Sequence, residues 1–185
     1  MTQTAALDPV TVARYQFVGQ DIPWLVDHWA EHRGEHPFLV WEPRDGSGRT
    51  WTYAEFALDS RRVAAGLRSR GVGVGDKVLI HADNCPEAVI AWYACARVGA
   101  VAVTTNTRSV AAEVEYFISH TGCVGAITQP RYAALVAQAG PDLGWVVVTE
   151  DDSGTPAEAS PLEGQDRFDS LMGDAESFEA RPADP

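Results

Sequence analysis

Four short β-prone runs begin at positions 77, 100, 123 and 145, spaced 23, 23 and 22 residues apart, and a stretch of helical periodicity precedes each one. Strands that alternate with helices at this pitch are joined by crossovers, which carry the chain back over the sheet and set neighbouring strands parallel. The residues themselves do not recur, so the spacing is that of supersecondary units and not of a sequence repeat. The chain therefore reads as α/β: a doubly wound, mainly parallel sheet with βαβ crossovers.

The local signals agree. Thr52 and Glu55 form a capping box, in which the hydroxyl caps the first turn and the carboxylate reaches back. Phe56, Val63 and Leu67 follow on one helical face, and Gly71 stops the helix where a positive φ is needed. Residues 77–82 form the next strand, and Asn84-x-x-Glu87 reads as a second capping box for a helix that stops at Gly99. After a strand over 100–105, Ser109 opens a helix with Val110, Val114, Phe117 and Ile118 on its buried stripe. Strand 123–128, a short helix over 131–139 and strand 145–149 complete the series. Ahead of it, Asp21 caps a helix with Pro23 in its first turn and with Trp24, Leu25, His28, Trp29 and His32 on one face. Residues 38–41 and 49–52 flank the turn Asp45-Gly46-Ser47-Gly48 and predict a hairpin. The organisation is an arm over 1–20, an α/β unit over 21–150 and an acidic linker over 151–185.

Charge separates the last part from the rest. The 185 residues carry a net charge of −12, of which residues 150–185 hold −9, with Arg167 and Arg181 as their only cations. Such a tail repels nucleic acid and anionic membrane, so neither is an expected partner. It is read as a solvated linker in which only a short turn over 168–172 could be ordered. No apolar run approaches the ~20 residues of a membrane helix, and the first ten residues lack the cation of a secretory signal. The expectation is a cytoplasmic protein. Its three cysteines, Cys85, Cys95 and Cys123, have no paired spacing and read as reduced thiols.

Several motifs invite chemistry and do not sustain it. Gly71-Val72-Gly73-Val74-Gly75 follows a helix and enters a strand, the reverse of a phosphate-binding turn, so it reads as a helix stop. His28 and His32 have a spacing that could hold a metal, but no further ligand cluster accompanies them. Cys85 lies near a helix start without an evident histidine partner and reads as a buried thiol. Lys77, the only lysine, opens a strand and so lies at the end of the sheet away from ligands. What remains is the carboxyl edge, with Asp83, Asn84, Thr104, Thr105, Asn106, Arg108, Gln129 and Arg131. There Arg108 and Arg131 each sit beside a helix N-terminus, where cation and helix dipole could act together on an anion.

The run Trp51-Thr-Tyr-Ala-Glu-Phe56, then Val63-Ala-Ala-Gly-Leu-Arg68, Gly71-Val-Gly-Val-Gly-Asp-Lys-Val78, Asn84-Cys-Pro-Glu87 and Ala96-Arg-Val-Gly-Ala-Val101, resembles the adenylate-forming superfamily. Acyl-CoA synthetases, luciferases and peptide-synthetase adenylation domains make up that superfamily. The resemblance spans about residues 22–150. The Thr105-Asn106-Thr107-Arg108 stretch is more similar to CoA ligases of the carnitine type than to peptide-synthetase domains. The resemblance implies the N-terminal part of an ATP-dependent carboxylate–CoA ligase, which makes an acyl-AMP and then an acyl-CoA. ATP, Mg²⁺ and CoA would serve the parent enzyme, with a small carboxylic acid and the remaining domains of the same polypeptide as partners. It implies no catalytic or metal-binding residue here. A role on the CoA phosphate is implied for Arg108 in the Asn106 turn, with Arg131 as a weaker candidate. The phosphate loop and the lysine-bearing domain of the family are not in this sequence, so the 185 residues alone are expected to be inactive. A peptide-synthetase-type fragment, or a stand-alone α/β binding module, are the alternatives.

Overall fold

The computed structural model describes residues 20–150 and 162–179. Helix α1 (Ile22–Arg33) leads into an antiparallel hairpin, β1 (Pro37–Trp41) with β2 (Arg49–Thr52). Then follow α2 (Tyr53–Ser69), β3 (Lys77–His81), α3 (Pro86–Val98), β4 (Val101–Thr104), α4 (Ala111–Thr121) and β5 (Cys123–Thr128). A 3₁₀ turn (Pro130–Tyr132), α5 (Ala133–Ala139), β6 (Val146–Val148) and β7 (Asp166–Arg167) complete the main body. The main sheet runs β4-β3-β5-β6-β7 with every neighbouring pair parallel.

That order makes the sheet doubly wound. From β3 the chain moves outward to β4, then crosses back to β5 on the other side of β3, so the crossover helices cover opposite faces. Side-chain alternation along β3 shows both faces filled: Val78 and Ile80 join the core under α1, α2 and α3, while Leu79 joins the one under α4 and α5. Ile127 and Val147 extend the first core, Ala126 and Val146 the second. Strands buried on both faces read as continuous apolar runs, as these do.

The capping box of α2 is present in both halves: Glu55 N–H donates to Thr52 Oγ1 at 3.2 Å, and Thr52 N–H donates to Glu55 Oε2 at 2.8 Å. Gly71, at φ +85°, ends α2 in a paired stop in which Gly71 N–H donates to the Arg68 carbonyl and Val72 N–H to that of Leu67. Val72 and Leu67 are both buried, the apolar contact that accompanies this motif.

Other starts differ from the sequence reading. The N-cap of α3 is Cys85 and not Asn84, with no side-chain cap. Pro86 at the first helical position lacks one of the N–H groups that would need capping. Helix α4 begins after Val110 and not after Ser109; the Val110 side chain has no acceptor, and the Val110 N–H is held by Glu113 Oε2 at 3.1 Å. Val110 itself is 62% exposed, so it leaves the buried stripe that Val114 and Ile118 form.

Helix α1 also departs from expectation. Its only buried residue is Val26, while Trp24, His28 and His32 stack along its outer surface with ring centroids 4.8 and 4.2 Å apart. Beside the apolar contact of Val26 and Ala30, charge also ties the helix to α2 and α3. Asp27 accepts two hydrogen bonds from Arg97, at 2.8 and 3.0 Å, and pairs with Arg61 at 2.8 Å.

The linker reading is corrected over 162–179. Phe168, Leu171 and Phe178 are buried in the core beside α2, and β7 adds to the sheet. Acidic composition did not prevent docking, and two ion pairs tie the segment to the body: Arg70 meets Asp166 at 2.8 Å, and Arg167 meets Glu150 at 2.7 Å. The remaining parts of the arm and linker, 1–19, 151–161 and 180–185, lie outside the described residues.

Candidate site at the carboxyl edge of the sheet

In a doubly wound sheet the loops splay apart where the winding reverses, here at the carboxyl ends of β3 and its neighbours. Three loops meet there. Asp83 follows β3, the 105–108 turn follows β4, and Gln129, Arg131 and Tyr132 follow β5. Their polar groups bind one another. Asp83 Oδ1 accepts from the Thr107 hydroxyl at 2.5 Å and Oδ2 from the Tyr132 hydroxyl at 2.8 Å, while Asp83 N–H donates to Gln129 Oε1 at 2.9 Å. Arg131 Nη1 lies 3.8 Å from Asp83 Oδ2.

His81, the last residue of β3, is fully buried. Its Nδ1 lies 2.8 Å from Thr105 Oγ1, and its ring stands edge-on to Tyr132 at 5.1 Å. Burial lowers the basicity of this imidazole, and the nearby Asp83 charge only partly opposes the effect. Burial likewise raises the Tyr132 phenol, and Asp83 adds to the shift.

Of the residues singled out from the sequence, Asn106 makes the turn. Its Oδ1 accepts from Arg108 N–H at 2.9 Å and its carbonyl from Ser109 N–H at 3.0 Å. A cleft of about 770 Å³ opens beside it, lined by Trp41, Asp83, Asn84, Thr105, Asn106 and Thr107 among others. The Arg108 side chain is exposed, two residues before the N-cap of α4. Arg131 is different: it lies within the 3₁₀ turn, not at the start of α5, and turns toward Asp83 and the face of Tyr132. The structure thus joins Asn106 and Arg108 in one turn and gives Arg131 an internal acidic neighbour. His81, Thr107 and Tyr132 were missed. A histidine ending an otherwise apolar strand was the one available signal.

Among the described residues no group of three His, Cys, Asp or Glu could hold a metal. The rings of His28 and His32 stack, and His32 Nδ1 lies 2.7 Å from the His28 carbonyl oxygen, so the pair is not arranged for an ion. Cys85 and Cys95 are buried, and burial pushes the Cys95 thiol up to about 12, far from a reactive thiolate. Gly71 to Gly75 forms the predicted helix stop. Among the described residues no helix is long and apolar enough to cross a membrane.

Fold and site together define an α/β protein with a polar carboxyl edge whose loops are joined by side-chain hydrogen bonds. The family model described as AMP-binding enzyme matches residues 26–185, and the chain belongs to that family. It is 30% identical over 114 residues to a crotonobetaine/carnitine–CoA ligase of Salmonella paratyphi A, an alignment covering 62% of this chain and 22% of that protein. Among solved structures it superposes on the anthranilate CoA ligase AuaEII, seen in complex with anthranoyl-AMP. There the TM-score is 0.76 at 18% identity, over 94% of this chain and 32% of that one. It also superposes on acetoacetyl-CoA synthetase from Streptomyces lividans, with a TM-score of 0.71 at 22% identity, over 88% and 26% of the two chains. At such identities the structural likeness establishes the fold. The chain spans about a fifth of the length of the curated ligase it matches.

Proposed function

We propose that this chain is the first α/β portion of an ATP-dependent carboxylic acid–CoA ligase. Such an enzyme converts acid and ATP to acyl-AMP and pyrophosphate, after which the CoA thiol displaces AMP. The observation that carries the reading is the match to AMP-binding enzymes over residues 26–185, joined to CoA ligases among both the sequence relatives and the structural neighbours. The partners are then a small carboxylic acid and the rest of the same polypeptide.

The residues here do not fit an ATP–Mg²⁺ centre. Lys77 starts β3, at the opposite end of the sheet from the carboxyl edge, and no metal-ligand cluster lies among the described residues. No adenylation step is therefore assigned to them. In an ATP–pyrophosphate exchange assay with a panel of acids, the 185-residue chain should give no acid-dependent turnover above a heat-killed control. Clear exchange would overturn this division of labour.

CoA fits better. Arg108 is exposed on the turn that borders the cleft, and the Asn106 side chain holds its backbone in place. A guanidinium on a CoA phosphate makes a charge-assisted hydrogen bond of roughly 1.5–3 kcal/mol. In the full-length polypeptide, Arg108→Ala should raise the KM for CoA about 10- to 100-fold, at ~1.4 kcal/mol per decade. Acyl-AMP formation should stay nearly unchanged. Loss of adenylation with normal CoA kinetics would move Arg108 to the nucleotide or to the fold.

A further inference from the structure

One cluster at the carboxyl edge is held together by its own hydrogen bonds. Asp83 is a carboxylate at the reversal point of the sheet, and its two oxygens accept from hydroxyls on two different loops. Its own backbone N–H is tied to Gln129, on the second of those loops. We infer that Asp83 is a positioning residue: through Thr107 it holds the Asn106–Arg108 turn in the orientation in which Arg108 meets its ligand. The inference rests on the reading of Arg108 as a CoA-phosphate residue.

The physical case is one of restraint. The 105–108 turn follows β4, which among the described residues is an edge strand paired with β3. The Thr105 N–H bond to the Ile80 carbonyl, at 3.2 Å, ties the start of the turn to β3, while Asn106 and Arg108 beyond it are exposed. Within it, the bonds from Arg108 N–H and Ser109 N–H to Asn106 are local and fix its shape, but not its direction relative to the sheet. Two side-chain bonds set the direction: Thr105 Oγ1 with buried His81, and the Thr107 hydroxyl on Asp83. The second is charge-assisted, and Tyr132 and Arg131 on the far side hold the acceptor in place. A long arginine on a turn free to swing would spread its guanidinium over many positions. Fixing the turn removes that freedom before the ligand arrives.

The test uses the full-length polypeptide with Asp83→Ala, Thr107→Val, Thr107→Ser and Arg108→Ala. Hydrogen exchange of the peptide spanning 105–109 reads the turn itself, and KM for CoA against acid-dependent pyrophosphate exchange reads the function. Asp83→Ala and Thr107→Val should speed exchange of the Arg108 and Ser109 amides about tenfold, the effect of one lost hydrogen bond of ~1.4 kcal/mol. They should raise the KM for CoA about 3- to 30-fold while leaving pyrophosphate exchange intact, and Thr107→Ser should restore both. A general structural lesion would instead lower both half-reactions. Unchanged exchange in Asp83→Ala and Thr107→Val overturns the positioning role. Faster exchange with a normal KM for CoA, in these variants and in Arg108→Ala alike, upholds the clamp and overturns the CoA reading of Arg108.

Discussion

Gly66→Ala should lower the stability of the chain by roughly 3 kcal/mol and free residues 162–179 from α2, although the same substitution in an open helix gains up to ~1 kcal/mol. Gly66 lies inside α2, where alanine is the better helix former. A Cβ at this position would stand 2.1 Å from the Leu171 carbonyl oxygen and 2.7 Å from Leu171 Cα. Those are backbone atoms, so no rotamer change relieves the overlap and the segment has to move away. It would take Phe168, Leu171 and Phe178 from the core, side chains worth roughly 1.5–3 kcal/mol each when fully buried, a loss that the conformational entropy regained by the freed segment partly offsets. The Gly173 N–H bond to the Arg62 carbonyl, at 3.1 Å, would go with them. Urea denaturation reads the loss, and limited proteolysis reads its location, with new cuts confined to 162–179. Leu171→Ala, at about 2–5 kcal/mol for a buried leucine, provides the scale. An alanine variant as stable as the parent, with the segment still protected, would contradict this account.

A second large effect is expected at Asp27. Arg97 is 2% exposed, and its guanidinium is satisfied by both Asp27 oxygens and by Ser60 Oγ at 2.8 Å. Asp27→Ala would leave that cation buried against Ser60 alone, a lesion of about 3–5 kcal/mol. Adding Arg97→Met to Asp27→Ala should recover much of the loss, since an apolar chain of similar length needs no partner. A double variant no better than the single one would mean that the contact holds α1 through packing and not through charge.

The same pair carries a pH signature. Partial burial tends to raise the Asp27 carboxyl, but the hydrogen bonds and charge of Arg97, followed by those of Arg61, outweigh it and hold the group below the usual carboxylate range. Because the folded value is the lower one, the stabilisation is complete above the ordinary carboxylate range and disappears as pH falls through the folded value. The urea midpoint of the parent should therefore drop more steeply on acidification than that of Asp27→Ala. Parallel pH curves would show that Asp27 gains nothing from ionisation.

Features built from neighbouring residues were legible in the sequence. The Thr52–Glu55 capping box, the stop at Gly71, the hairpin around residues 45–48 and the four parallel strands each depend on groups a few positions apart. Their local geometry follows from φ, ψ and side-chain period alone. Caps whose signal was ambiguous slipped by one residue: Asn84 gave way to Cys85 with Pro86 behind it, and Ser109 to Val110 with Glu113 reaching back. At the site, Asn106 and Arg108 were legible because an Asn turn after a strand is a local motif. The clamp was not, because Asp83 and Tyr132 are 49 residues apart.

What the sequence by itself determined is the alternation of elements, the parallel sheet and the resemblance that leads to AMP-binding enzymes. These follow from the periodicity of apolar residues and from the order of short motifs. Only the tertiary structure decided which surface each ambiguous segment would cover. Helix α1 shows a plausible apolar face in Trp24 and Leu25, yet it docks through Val26 and Asp27, because Arg97 supplies a buried charge that must be met. Residues 162–179 are acidic and aperiodic, yet they pack, because Gly66 opens a backbone-width groove on α2 and Arg70 answers Asp166. Such contacts join residues about a hundred positions apart, as Arg70 and Ser170 do at 2.8 Å, and no local pattern records a partner at that distance.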